Sequence, residues 1–126
     1  VSEFYKRGKK MIFFNYNKCS TCIKARKFLE ALNIDFISKD AKLDKPSKED
    51  IKSWYEKSGL DIKKFFNTSG NVYKELGLKD KLAGMSLEDK LSLLASDGML
   101  VKRPILVMED RVLLGFKEKE WEEALS

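Results

Sequence analysis

The stretch Asn15-Tyr16-Asn17-Lys18-Cys19-Ser20-Thr21-Cys22 separates two patterns of different period and contains the only two cysteines in 126 residues. Before it, Met11 to Asn15 is an apolar run too short for a helix and suited to a buried strand. After it, Cys22, Ala25, Phe28, Leu29 and Leu32 recur at helical spacing, with Lys24, Lys27 and Glu30 largely on the opposite side. The reading is therefore a strand, a turn bearing Cys19 and a helix from about Thr21 to Leu32. A cysteine at that turn meets the unpaired N–H groups and positive end of the helix, which stabilise a thiolate. Lys18 and Lys24 are further cations able to act on it. Cys22 falls one turn on, placed to attack a bond that Cys19 forms.

Two cysteines cannot build a disulfide framework, so the pair reads as redox chemistry, half of a metal site, or two small core residues. The chain has no histidine, so zinc would need carboxylates or another chain to complete four ligands, and no metal ligand is assigned. The same absence excludes Ser-His-Asp and Cys-His catalysis within the chain. A hydrophobic fraction of 43% with 36% charged residues describes a globular chain with a heavily solvated surface. No apolar run approaches the ~18 residues of a membrane span, no signal peptide is read, and a cytoplasmic location is the default expectation. Net charge is +5, of which residues 1–10 contribute +3 through Lys6, Arg7, Lys9 and Lys10 against Glu3. In the remainder acids and bases are interspersed without a basic stripe, so no direct nucleic-acid contact is expected. Residues 1–10 read as an N-terminal extension and residues 11–126 as one domain.

Outward from the first helix, Asn33 ends it and Ile34 to Ser38 reads as a second strand, with Ile34, Phe36 and Ile37 inward. Strand, helix, strand in about thirty residues implies a right-handed parallel crossover. A helical block of about 47–98 follows. Pro46-Ser47-Lys48-Glu49-Asp50 is a capped helix start continuing to Gly59, and a shorter helix follows Asp61 with Ile62, Phe65 and Phe66 inward. The polar turn Asn67-Thr68-Ser69-Gly70 precedes Val72 to Leu76, closed by Gly77. Ser86 starts a helix over Leu87 to Asp97 with Leu87, Leu91, Leu94 and Ala95 apolar. Pro104 to Met108, the turn Glu109-Asp110 and Arg111 to Leu114 read as a hairpin, and Lys117 to Leu125 as a closing helix with Trp121 and Leu125 inward. The order β-α-β, helical insertion, β-β-α is that of an α/β protein of thioredoxin/glutaredoxin-like fold with a mixed four-stranded sheet.

Within that fold, Pro104 at a strand start is expected to be cis and to lie beside the cysteine turn. Arg103 then comes close to Cys19, where its donor fork binds an oxyanion or carboxylate and helps hold the thiolate. Asn67, Thr68 and Ser69 offer an amide, hydroxyls and backbone N–H groups to an anion, although a polar turn between helices needs no ligand.

Three segments together closely resemble the arsenate reductase (ArsC)/Spx family from Met11 to Leu125: Tyr16 to Cys22 with Lys24-Ala25; Phe66 to Gly70 with Tyr73 to Leu78; and Lys102 to Val107 with Val112 to Phe116. The resemblance implies Cys19 as the nucleophile of a small thiol-disulfide oxidoreductase acting on a thiol or oxyanion substrate. Thioredoxin, glutaredoxin or glutathione would be the reductant. Of three arginines around arsenate in the glutaredoxin-linked reductases, this sequence matches one, Arg103. Asn67 stands at the second, and Phe116-Lys117 replaces the third. The Cys-x-x-Cys is the pattern of the Spx branch. It implies the alternative of a redox-sensing regulator that uses the region near Gly59 to bind the C-terminal domain of the RNA polymerase α subunit.

Overall fold

The computed structural model describes residues 11–126; the expected extension, residues 1–10, lies outside them. Four strands, β1 (Met11–Asn15), β2 (Phe36–Asp40), β3 (Ile105–Val107) and β4 (Val112–Leu114), form one sheet in the order β2-β1-β3-β4. β1 runs parallel to β2 with Met11 opposite Phe36, and antiparallel to β3 with Phe13 opposite Leu106; β3 and β4 pair as a hairpin. Among the described residues six helices lie around the sheet: α1 (Ser20–Ala31), α2 (Lys48–Ser58), α3 (Asn71–Glu75), α4 (Leu78–Lys81), α5 (Leu87–Ser96) and α6 (Glu118–Leu125). This is the thioredoxin-like arrangement that the order of elements implies.

Alternation along the strands divides the core into two layers. Met11 and Phe13 of β1, Leu106 of β3 and Leu113 of β4 pack with Ala25 and Leu29 of α1 and Trp121 and Leu125 of α6. Phe14, Ile105, Val107 and Val112 point the other way, against Ile51, Trp54, Phe65, Leu91 and Leu94 of the helical segment between β2 and β3. A central strand buried on both faces explains why Met11 to Asn15 reads as a continuous apolar run rather than an alternating one.

The helix ends follow their local chemistry. Ser47 Oγ accepts the Asp50 N–H while the Asp50 carboxylate accepts the Ser47 N–H, and Gly59 closes α2 with φ of 68°. Ser86 Oγ caps α5 by accepting the Asp89 N–H. At the end of α1 the Asn33 N–H donates to Glu30 O, the Ile34 N–H donates to Leu29 O, and Asn33 has φ of 56°. That pairing is a Schellman end, and it corrects the expected second strand. Ile34 belongs to the cap, so β2 begins at Phe36 and reaches Asp40. Ile37, expected inward, is exposed on this edge strand, and Leu87, at the first position of α5, is exposed as well. The four-residue α4 and the single 3-10 turns at Leu82–Gly84 and Gly98–Leu100 were too short to show periodicity.

Gly98 is buried where the last of these turns meets the end of β2, and a Cβ there would overlap the Ala41 carbonyl oxygen. Both partners are backbone, so neither can give way cheaply. Gly98→Ala is expected to lower stability by about 3 kcal/mol in chemical denaturation. Gly84→Ala, with open space at its Cβ, should stay within about 1 kcal/mol of the parent.

Candidate functional site

Cys19 is the N-cap of α1. Its backbone is extended (φ −90°, ψ 117°), its N–H donates to Tyr16 O at 3.0 Å, and its carbonyl accepts the Ile23 N–H at 3.0 Å. Its sulfur accepts the Cys22 N–H at 3.3 Å. Serine, threonine, aspartate and asparagine usually take this position because an oxygen can accept the otherwise unpaired N–H. Here sulfur fills the acceptor role, in which a thiolate is better than a thiol. Cys19 is half-buried and Cys22 buried, and both are free thiols.

Cys22 lies on the apolar side of α1, and its thiol is pushed up to about 12. Burial is the main cause, followed by its hydrogen bond to Cys19 and the Cys19 charge; a backbone contact at Tyr16 and the charge of Arg103 oppose these. Cys22 is therefore protonated at neutral pH. The cation acting on it is Arg103, whereas Lys18 and Lys24 are exposed.

Arg103 precedes Pro104 through a cis peptide bond, as expected, and Pro104 is buried. The guanidinium carbon lies 5.3 Å from the centre of the Tyr16 ring, a cation–π distance. One Nη donates to the carbonyls of Met99 at 3.3 Å and Val101 at 3.4 Å, and the buried Nε has no partner among the described residues. Tyr16 thus joins the two halves of the site: its carbonyl holds the Cys19 N–H and its ring seats Arg103. Sequence reasoning missed Tyr16, although it lies within the stretch that carries the cysteines.

The Asn67 to Gly70 turn divides. Thr68 lines a groove of about 920 Å³ that also receives Thr21, between the two cysteines, and Arg103. Asn67 and Ser69 do not line that groove. The Ser69 hydroxyl donates to Asn67 Oδ1 at 3.3 Å, the Asn67 N–H donates to Leu100 O at 2.8 Å, and a Cβ on Gly70 would stand 2.6 Å from Asn67 Nδ2. The Asn67 side-chain oxygen and the Ser69 hydroxyl are thus engaged with each other. Phe116 is also engaged, edge-on to Trp121 at 4.9 Å and against Phe28 at 5.5 Å.

A second polar cluster was not foreseen. Asn15, buried at the end of β1, donates to Phe13 O and Ser38 Oγ, both at 2.9 Å, and Arg26 of α1 reaches Asn15 Oδ1 at 3.3 Å and Ser38 Oγ at 3.0 Å. The Arg26 guanidinium also lies 5.5 Å and 5.4 Å from the ring centres of Phe13 and Phe36. It ties α1 to the β1–β2 pair just beyond the cysteines.

A thioredoxin-like sheet, a cysteine-capped first helix and a cis-proline entering the third strand define the class of protein. The chain belongs to the ArsC family, whose model matches residues 14–124. It is 52% identical over 113 residues to the uncharacterized protein YusI of Bacillus subtilis, covering 90% of this chain and 96% of that one. The global transcriptional regulator Spx of Bacillus subtilis is 28% identical over 102 residues, covering 81% of this chain and 76% of Spx. Among solved structures, an ArsC-family-related protein of Bacteroides fragilis superposes with a TM-score of 0.88 at 50% identity, covering 91% and 97% of the two chains. A "possible arsenate reductase" of Streptococcus mutans superposes with a TM-score of 0.81 at 46% identity, covering 89% and 97%.

Two outcomes follow from the unequal cysteines. Native alkylation at neutral pH should modify Cys19 at least roughly tenfold faster than Cys22, as read by peptide mass. The unfolded Cys22 thiol loses its proton near 9.0 and the folded one near about 12, so between these pH values the folded state binds more protons. Stability must fall as pH rises through that window, and Cys22→Ala should make the loss shallower in denaturant titrations at pH 8 to 11.

Proposed function

We propose that this chain is a thiol-disulfide oxidoreductase with Cys19 as nucleophile and Cys22 as resolving thiol. The observation that carries the reading is the Cys19 sulfur at the helix N-cap, accepting a backbone N–H and half-exposed, with a buried thiol one turn behind it. In the first step the Cys19 thiolate attacks one sulfur of a substrate disulfide, forming a mixed disulfide and releasing the other substrate sulfur as a thiolate. In the second, Cys22 gives up its proton and attacks the Cys19 sulfur, releasing the second substrate thiol and leaving a Cys19–Cys22 disulfide. The substrate has gained two electrons and the pair has lost two. Glutathione, glutaredoxin or thioredoxin then restores the dithiol.

The high affinity of Cys22 for its proton suits the order of events. Cys22 stays a thiol while Cys19 is free; a mixed disulfide at Cys19 relieves the contributions that Cys19 makes to holding that proton, and burial, the largest contribution, remains. Arg103, seated on Tyr16 and facing the groove, would hold a carboxylate or oxyanion of the substrate beside Cys19, with Thr68 as a further donor. Asn67 and Ser69, occupied with one another, contribute less than Thr68 does, and Pro104 shapes the wall. Residues 11–126 would act as one domain in a reducing compartment such as the cytoplasm.

Arsenate is the less favoured substrate. A doubly charged oxyanion is held best by several guanidinium forks aimed at it, and Asn67 and Phe116 offer none at the two positions that match the further arginines of the reductases. Arsenate reduction with glutathione and glutaredoxin should therefore stay near background while disulfide reduction proceeds.

The Spx-like regulator is the second reading, favoured by the Cys-x-x-Cys, by the Spx relative and by exposed Gly59, whose Cβ position is open. It predicts retention on the polymerase α C-terminal domain that changes on oxidation. Absence of retention in both redox states would remove it.

The oxidoreductase reading is tested by turnover of a small disulfide coupled to glutathione. Cys19→Ser should lose at least about a hundredfold in rate, and Cys22→Ser should accumulate a mixed disulfide at Cys19 detectable by mass. Unchanged turnover in Cys19→Ser would contradict the proposal.

A further inference from the structure

The groove that begins at Thr21 and Arg103 also takes in the whole of β4, from Val112 to Leu114, and the residues on either side of it. β4 pairs with β3 alone and is an edge of the sheet. In the hairpin the Met108 N–H donates to Arg111 O at 2.9 Å and the Gly115 N–H donates to Pro104 O at 2.8 Å. These bonds fix the alternation along β4. Arg111, Leu113 and Gly115 turn their backbone groups toward β3, so Val112 and Leu114 turn theirs outward. Among the described residues these outward groups have no hydrogen-bond partner outside the sheet.

The charge around this edge is strongly one-sided. Lys57 enters from α2, Lys63 and Lys64 from the 3-10 turn Ile62–Phe65 after it, and Lys102, Arg111 and Lys117 from the segments flanking the hairpin strands, with Arg103 beside Lys102. Among the described residues, the carboxylates lining the groove are Asp110 and Glu120. The ion pair formed among the described residues, Lys48 with Glu88, involves no groove residue. The cations come from separate sequence segments, which is why no basic stripe was visible in the sequence.

We propose that the β4 edge is a docking track for an extended acidic polypeptide segment of a partner protein, added to the sheet as a fifth strand. The Val112 and Leu114 backbone groups supply the ladder and the surrounding cations select acidic side chains. A second copy of this chain does not fit that charge, since it would bring an equally basic edge to the groove, and its residues 1–10 are basic too. Lysines beside a strand edge deter self-association, and the same charges admit an acidic strand. The inference concerns binding and holds whether or not Cys19 is a redox nucleophile.

The test is fluorescence anisotropy with a labelled peptide of about twelve residues alternating Glu with Val and Thr. The proteins are the full chain and its Cys19→Ser, Cys22→Ser double variant. Binding should be saturable, equal in the two proteins, and weakened roughly tenfold between about 50 mM and about 200 mM salt. Lys63→Glu with Lys64→Glu should weaken it at least roughly tenfold, circular dichroism confirming the fold. The same peptide N-methylated at alternate residues should not bind, and the Val112 and Leu114 amide signals should shift on addition of the unmodified peptide. Equal binding of the N-methylated peptide, equal binding of a Lys-for-Glu peptide, tighter binding of a single-stranded oligonucleotide, or no binding at all would each overturn the proposal.

Discussion

The N–H groups that open α1 need acceptors, and the chain offers a sulfur where an oxygen usually stands. The Cys19 backbone is held on both sides, by the Tyr16 carbonyl and by the Ile23 N–H, so its sulfur meets the Cys22 N–H as a consequence of helix geometry. The same helix turns Cys22 onto its apolar side, where burial raises the thiol to about 12. One local constraint therefore makes two identical residues chemically different. A half-buried sulfur at the helix mouth and a buried thiol that keeps its proton are the two partners a thiol-exchange cycle needs.

The sheet gives that helix end its surroundings. β1 delivers the chain to the turn between two core layers, and Asn15, Arg26 and Ser38 tie α1 to β1 and β2 just beyond it. On the other side of β1, β3 begins at Ile105, just after Pro104, and brings Arg103 onto the Tyr16 ring. Residues nearly ninety positions apart thus meet because β1 and β3 are neighbours in the sheet. Burial on both faces of β1 fixes the register, since a slip of one residue would exchange Phe13 and Phe14 between layers of different shape.

What was legible in the sequence was what local chemistry decides. Ser47 with Asp50, Gly59 and Ser86 mark helix ends without reference to the rest of the molecule, and Trp121 and Leu125 mark the inner side of α6. The start of β2 was not legible because Ile34 is apolar either as a strand residue or as the hydrophobic partner closing a Schellman end. Asn67, Thr68 and Ser69 looked equivalent as a polar turn; in the fold Thr68 lines the groove while the Asn67 amide lies over Gly70. The groove cations were hidden for a different reason. Lys57, Lys63, Lys102, Arg111 and Lys117 are interspersed with acids along the chain and gather only when β4 packs beside the end of α2.

The division of labour between Cys19 and Cys22 is tested most directly by equilibrating the protein across a series of glutathione redox ratios, trapping thiols by alkylation and reading whole-protein mass. A single transition between the dithiol and an internal Cys19–Cys22 disulfide, absent from Cys22→Ser, is the predicted result. A protein that stays dithiol throughout, or whose two cysteines take up glutathione independently without forming the internal bond, would contradict it.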